Sequence, residues 1–131
     1  MMRDHSPFSG RSWPEKFRDA FSGVKEGVRG QSSFFVHFFV VALVIAAGVV
    51  MQIDTIAEWC ILLLCITVVL TAEMFNSAIE SMAKAITEEI HPHVGTALNI
   101  GSAAVLVASV GAAVTGAAIF VNRLGPLMGW W

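Results

Sequence analysis

The chain has little charge. Only 14% of its 131 residues are Asp, Glu, Lys or Arg, whereas a soluble domain carries about 25%. The chain is also 56% hydrophobic, with a mean hydropathy of +0.71, so the composition predicts a membrane protein of one domain. Because the sequence offers no basic surface, we expect no nucleic-acid partner.

The familiar sequence motifs of soluble enzymes are missing as well. There is no Walker loop, glycine-rich kinase loop, zinc motif or nucleophile elbow. Cys60 and Cys65 lie five apart, on different faces of one apolar segment, which favours apolar packing over a disulfide or a metal site. His37 lies near the start of an apolar run, and His91 and His93 flank a proline. These positions favour solvated or capping histidines over metal ligands.

Three apolar segments are long enough to predict membrane helices, each of which needs about 20 residues. Residues 34–51 are interrupted only by His37, and residues 100–121 carry no charge. Residues 59–72 are also uncharged, and a helical pattern continues beyond them. Because about 33 mostly polar residues come first, the first run is predicted to be a retained helix and not a signal peptide. The predicted spans are about 32–51, 56–86 and 97–121.

The connections and the basic residues predict the topology. A short connector at 52–57 predicts an antiparallel hairpin, and Pro92 disfavours helix at the residue before it, so a turn is expected at 87–96. Six Lys and Arg residues precede the first span, one follows the second and one follows the third. The positive-inside rule therefore predicts a cytoplasmic N-terminus and a C-terminus outside.

The N-terminal part is predicted to hold a flexible tail at 1–12, followed by a single membrane domain at 13–131. From about 13 to 30, apolar residues such as Phe17, Phe21 and Val24 recur at helical spacing among charged ones. This pattern predicts an amphipathic helix on the cytoplasmic membrane surface, with a soluble helix packed on a partner as the alternative. The small residues of the third span favour tight packing and oligomerisation.

The second span carries a polar stripe. Helical spacing places one set of polar side chains on a single face, and its members are Glu73, Asn76, Ser77, Glu80 and Lys84. A carboxylate at membrane depth costs at least about 2.5 kcal/mol. The presence of Glu73 and Asn76 directly after 14 uncharged residues therefore favours a functional site, with a polar seam between helices as the alternative.

Glu73 and Glu80 are expected to have separate tasks, because seven residues of helix rise about 10 Å and the two carboxylates cannot bind one ion together. The deeper Glu73 suits a base that acts on a lipid hydroxyl. Glu80, nearer the cytoplasm, suits Mg²⁺ carried by a nucleotide. This division is typical of phosphoryl transfer from a soluble donor to a membrane alcohol.

The run from Glu73 to Glu80 resembles the Glu-x-x-Asn-Ser/Thr-Ala-Ile-Glu motif of the small prokaryotic diacylglycerol kinase family, which includes the undecaprenol kinases. The likeness extends along most of the chain. It includes Phe17, Ala20, Gly23, Phe34, His37 and residues 100–106. The resemblance implies an all-α integral membrane protein of the bacterial inner membrane, with an N-terminal surface helix, three transmembrane helices and a homotrimeric assembly whose subunits share active sites.

The activity implied by the resemblance is transfer of the ATP γ-phosphate to undecaprenol or diacylglycerol, with Mg²⁺. Glu73 would be the catalytic base and Asn76 its neighbour at the reacting groups. The implied nucleotide contacts are Glu80, Glu89, Asn99 and Gln31, the implied metal ligands are Glu80 and Gln31, and the implied lipid contacts are Ser102 and Ser77.

Four positions depart from the family pattern. Gln31 stands where the family has a second metal-binding Glu, and Leu98 and Asn99 stand where it has a Lys-Asp pair. Lys84 replaces an Asp after the motif, and our hypothesis is that it supplies the missing positive charge. These departures keep open a catalytically weak or inactive homologue that binds lipid or has a structural role. A small transporter subunit is a further alternative.

Overall fold

The computed structural model describes residues 12–29, 32–86 and 91–129. All regular structure in these ranges is helical, and the helices are α1 (Trp13–Val28), α2 (Ser32–Val50), α3 (Ile56–Ile86) and α4 (Pro92–Met128). The chain divides into two compact units, Met1–Gly30 and Gln31–Trp131. Gln31, Glu89 and most of the predicted N-terminal tail lie outside the described residues.

The first unit contains α1, which begins with a hydrogen-bonded cap. The backbone N–H and the hydroxyl of Ser12 both donate to Glu15 Oε2 at 2.8 Å, an arrangement that stabilises a helix N-terminus. Pro14 lies in the first turn, where its fixed φ suits the helix. Phe17 and Phe21 are exposed within this unit, so their apolar surface is available for other contacts.

The second unit contains three helices that are long and apolar enough to cross a membrane, which is the number that the sequence predicted. α3 has 31 residues and α4 has 37. At 1.5 Å per residue these helices are about 46 and 56 Å long, whereas the hydrocarbon core is about 30 Å thick. Both helices are therefore longer than the hydrocarbon core.

α3 is the central helix of this unit, because it packs along α4 and also contacts α2. The predicted hairpin between α2 and α3 is present. Trp59 closes it, since its Nε1 donates to the Ile53 carbonyl at 3.1 Å and its ring lies against Gly48. The ring therefore holds the end of α2 to the start of α3.

α4 is longer than the sequence predicted, since it begins at Pro92 and not near 97, and ends at Met128 and not at 121. The expected turn at 87–96 is therefore wrong from Pro92 onward. The physical reason is that proline suits the first helical position, so Pro92 starts the helix. His91 caps it, as its Nδ1 accepts from the His93 backbone N–H at 3.3 Å. This confirms a capping role for His91.

An ion-pair cluster joins α4 to the hairpin. The Nη2 group of Arg123 donates to Asp54 in the connector and to Glu58 Oε2 in α3, the latter at 2.5 Å. The Arg123 guanidinium, through its hydrogen bond and its charge, holds the pKa of the Asp54 carboxyl below its ordinary value of 3.8. Glu58 and Glu73 are 15 residues apart on α3, which corresponds to about 22 Å, so this cluster lies far from the polar stripe.

Candidate functional site

The polar stripe of α3 is buried at its centre. Glu73, Asn76 and Ser77 are only 3–7% exposed, while Glu80 is half-buried and Lys84 is exposed. The stripe therefore changes from enclosed to open toward the end of α3. Burying such groups is costly without compensating contacts, so the contacts of each buried side chain are informative.

Asn76 connects the stripe to α4. Its Nδ2 donates to Glu80 Oε1 at 3.1 Å. Among the described residues, its Oδ1 is buried and accepts no hydrogen bond, which is uncommon in native structures. A methyl group on Gly101 would lie 2.5 Å from this oxygen, so α4 approaches Asn76 closely because Gly101 has no side chain.

His37 of α2 faces Glu73. Its Nε2 lies 3.8 Å from Glu73 Oε2, and the two side chains are only 19% and 4% exposed. The sequence interpretation of His37 as a solvated or capping residue is therefore wrong. His37 lies three positions after Phe34, which is 2% exposed, and residues at this spacing share a helix face, but the mostly apolar sequence of α2 does not mark that face.

Asn99, expected at the nucleotide, and Ser102, expected at the lipid, lie on α4. Leu98 is half-buried, and Asn99 and Ser102 are exposed. The Ser102 hydroxyl donates to the Leu98 backbone carbonyl at 3.1 Å. Since Gly101 faces Asn76 and the two helices are antiparallel, Leu98 lies about one turn further toward Glu80. An apolar side chain thus occupies the level at which the family pattern has a lysine.

A groove of about 460 Å³ lies between α2, α3 and α4. Its lining is mostly apolar, and His37 lines it at one end. Cys65 also lines it, and both Cys60 and Cys65 are free thiols. The buried stripe and the groove therefore meet at His37.

Within the described ranges, no cluster of three or more His, Cys, Asp or Glu side chains forms a metal site. Mg²⁺ needs fewer protein ligands, because one or two carboxylates together with substrate phosphates and waters complete its coordination. The half-buried Glu80 carboxylate is a hard oxygen donor of the kind that Mg²⁺ prefers, whereas the Asn76 amide oxygen is enclosed against Gly101. Glu80 therefore fits an ion that arrives with a nucleotide.

Three helices able to cross a bilayer, with a buried carboxylate and amide on the middle one, define a membrane protein with a polar site among its helices. The family model for prokaryotic diacylglycerol kinase matches residues 18–120. The chain belongs to this family.

Two relatives with kinase names match most of the chain. The chain is 30% identical over 110 residues to the undecaprenol kinase of Bacillus subtilis, a match that covers 84% of this chain and 89% of that protein. It is 29% identical over 113 residues to the diacylglycerol kinase of a Synechocystis species, which covers 86% of this chain but 64% of that protein. The family and both relatives carry lipid kinase names, so the chain is a member of a family of membrane lipid kinases.

Proposed function

We propose that this protein transfers the γ-phosphate of ATP to the hydroxyl of a membrane lipid, either undecaprenol or diacylglycerol. The observation that carries the proposal is the buried Glu73, which lies one turn from an Asn76–Glu80 hydrogen bond on α3. The enclosed carboxylate suits proton transfer, and the more open one suits the nucleotide. The family matches support the same reaction class.

Glu73 acts as the base in this proposal. As the lipid oxygen attacks the γ-phosphorus, the hydroxyl proton passes to the Glu73 carboxylate. A base held in position contributes about 10²- to 10⁴-fold to a rate. The burial of Glu73 supports the role, since an enclosed carboxylate is shielded from water that would compete with the lipid hydroxyl.

Glu80 would hold the Mg²⁺ of Mg-ATP, with Asn76 beside it at the reacting groups. The ion, when bound, neutralises phosphate charge as the β–γ bond breaks. Gln31, Glu89 and Asn99 are proposed as further nucleotide contacts, with Gln31 as a second oxygen ligand. Ser77 and Ser102 are proposed as lipid contacts.

A homotrimer with shared sites is part of the proposal. Asn99 and Ser102 are exposed on α4, so within an assembly they would reach the site of a neighbouring subunit. Small residues along α4 allow close approach between membrane helices. The exposed apolar surface of α2, α3 and α4 is available to lipid and to such neighbours.

The proposed orientation in the bacterial inner membrane has a cytoplasmic N-terminus and an outside C-terminus. Six Lys and Arg residues before α2 support it. The exposed Phe17 and Phe21 of α1, next to charged residues, support a helix on the cytoplasmic membrane surface. This orientation gives Glu80 access to ATP.

The second candidate is a catalytically weak or inactive homologue that binds lipid. The observation that favours it is the half-buried Leu98 next to Asn99, where the family pattern has a Lys-Asp pair. Neither side chain can neutralise phosphate charge.

One assay separates the two candidates. Purified protein in lipid nanodiscs is given Mg-ATP with undecaprenol or with a diacylglycerol, and phosphorylated lipid is measured for the wild type, Glu73→Gln and Glu58→Gln. Glu58→Gln is the matched control, because it makes the same change on α3 about 22 Å from Glu73. We expect turnover that Glu73→Gln lowers about 10²- to 10⁴-fold and Glu58→Gln retains. Equal turnover by Glu73→Gln and the wild type would remove the base role, and no turnover with either lipid would favour the inactive homologue.

A further inference from the structure

His37 and Glu73 come from different helices and face each other at 3.8 Å, which is longer than a normal hydrogen bond. A single hydroxyl oxygen can lie about 2.8 Å from both atoms. Such a hydroxyl has one hydrogen to donate to Glu73 Oε2 and two lone pairs. One lone pair can accept from His37 Nε2–H, and the other is left to attack phosphorus.

The groove between the helices has His37, one member of this pair, in its lining at one end. Its lining residues fall within 36–44 of α2, 62–70 of α3 and 109–120 of α4, so it follows the helices for about 12–16 Å. Apart from His37, the lining has two side chains with polar atoms, Ser109 and Cys65. The groove is therefore polar at one end and hydrocarbon-like along its length, which matches a molecule with one terminal hydroxyl and one long apolar chain.

We propose that His37 binds the hydroxyl of the substrate lipid and that the groove holds its chain, which selects a long-chain hydrocarbon alcohol of the polyprenol class. This inference rests on the proposed function. A diacylglycerol fits the groove less well, because its two ester carbonyls would need donors close to the hydroxyl. The lining offers one hydroxyl, on Ser109, and one weak thiol donor, on Cys65, and a buried carbonyl without a partner is costly.

The step balances as follows. The O–H bond of the alcohol breaks, and its proton goes to the Glu73 carboxylate. The alcohol oxygen forms a bond to the γ-phosphorus as the bond from that phosphorus to the bridging oxygen of ATP breaks, and ADP leaves with that electron pair. His37 keeps its proton and fixes the direction of the attacking lone pair, so it contributes by orientation.

Two pairs of variants test the inference in nanodiscs with Mg-ATP and undecaprenol or a diacylglycerol. His37→Leu removes the donor, while His37→Gln keeps an N–H group on a side chain of similar reach. Ala113→Phe fills the groove from an exposed position on α4, and Ala118→Phe makes the same change at an exposed position outside the lining.

We expect His37→Leu to lower kcat about 10- to 100-fold, as for loss of one hydrogen bond to a developing charge, and His37→Gln to restore most of it. Ala113→Phe should raise the KM for undecaprenol at least about tenfold, whereas Ala118→Phe should leave it near the wild-type value. Undecaprenol should be the better substrate of the wild type. Three results would each overturn the inference while leaving the kinase proposal in place. They are an equal loss of kcat in His37→Leu and His37→Gln, an equal change of the KM for undecaprenol in the two Phe variants, and a wild type that prefers diacylglycerol.

Lipid binding distinguishes failure of the inference from failure of the kinase proposal. Native mass spectrometry from detergent measures the undecaprenol that each protein retains. We expect the wild type and Ala118→Phe to retain it and Ala113→Phe to lose it. If this pattern appears without any turnover, the kinase proposal fails and the groove assignment stands. If Ala113→Phe retains the lipid like Ala118→Phe, the groove assignment is wrong whatever the turnover.

Discussion

The amide oxygen of Asn76 lies so close to Gly101 that a methyl group on this glycine would be 2.5 Å from it. The contact joins the buried stripe of α3 to α4, and it occurs at the residue that also donates to Glu80. The packing of α3 on α4 and the position of the Asn76 side chain therefore depend on the same contact. Any added atom at Gly101 must displace Asn76 or separate the helices.

Gly101→Ala is expected to destabilise the protein and to lower lipid kinase activity together. Overpacking of this kind costs about 1–3 kcal/mol, and a displaced Asn76 loses its geometry with Glu80. Thermal unfolding in detergent and turnover with undecaprenol measure the two effects. Gly111→Ala is the control, since a methyl group there meets nothing within 4 Å and alanine favours helix over glycine. If the two variants behave alike, the close contact does not constrain the site.

Gly48→Ala is expected to destabilise the α2–α3 hairpin with little effect on chemistry. A methyl group at Gly48 would lie 2.8 Å from Trp59 Cη2, so the ring must move and strain its hydrogen bond to the Ile53 carbonyl. We expect a loss of about 1–3 kcal/mol in thermal unfolding and a kcat within about twofold of the wild type. A Gly48→Ala protein as stable as Gly111→Ala would show that the ring adjusts freely.

The sequence predicted the helices well and the contacts between them poorly. The spans at 32–51 and 56–86 match α2 and α3 closely, because a long apolar run has few alternatives to a helix. The Glu73–Asn76 stripe was also predictable, because helical spacing is a local property. By contrast, the His37–Glu73 pair depends on the register between two helices. In an all-round apolar helix such as α2, periodicity does not single out a face.

Gly101 shows the same limit. It is one of many small residues in α4, and the sequence alone does not distinguish the glycine next to Asn76 from Gly111, where an added methyl group would meet nothing within 4 Å. The distinction arises from tertiary packing. Likewise, the start of α4 at Pro92 follows from the cap at His91, a local signal that competes with the turn preference of the His-Pro pair.

Asp54→Asn is expected to lower the unfolding temperature at neutral pH by a small, salt-sensitive amount, because Asp54 is exposed and its ion pair with Arg123 is screened. Arg123 holds the pKa of Asp54 below 3.8 in the folded protein. A carboxyl with a lowered folded-state pKa contributes stability above its unfolded pKa and loses it as pH falls through the folded value. The difference between wild type and Asp54→Asn should therefore persist from pH 7 to about 4, decline below that, and vanish once the pH is below the folded-state pKa.

Thermal unfolding of the two proteins at pH 7, 5, 4 and 3 measures this difference, and carboxyls that do not contact Arg123 titrate in both proteins alike. High salt should reduce the difference at pH 7. A difference that grows as pH falls below 3.8 would contradict the assigned direction of the Asp54 pKa.

Lys84→Met tests whether Lys84 supplies the positive charge that Leu98 and Asn99 lack. Lys84 is exposed and lies one turn beyond Glu80 on α3, where it can reach phosphates that enter from the open end of the stripe. If it does so, Lys84→Met raises the KM for ATP about tenfold or more, while Lys84→Arg, which keeps the charge, stays close to the wild type. The KM for lipid should not change, because that substrate is proposed to enter at His37. An unchanged KM for ATP in Lys84→Met would exclude Lys84 from nucleotide binding. Lys84 would then not replace the lysine that the family has where this chain has Leu98.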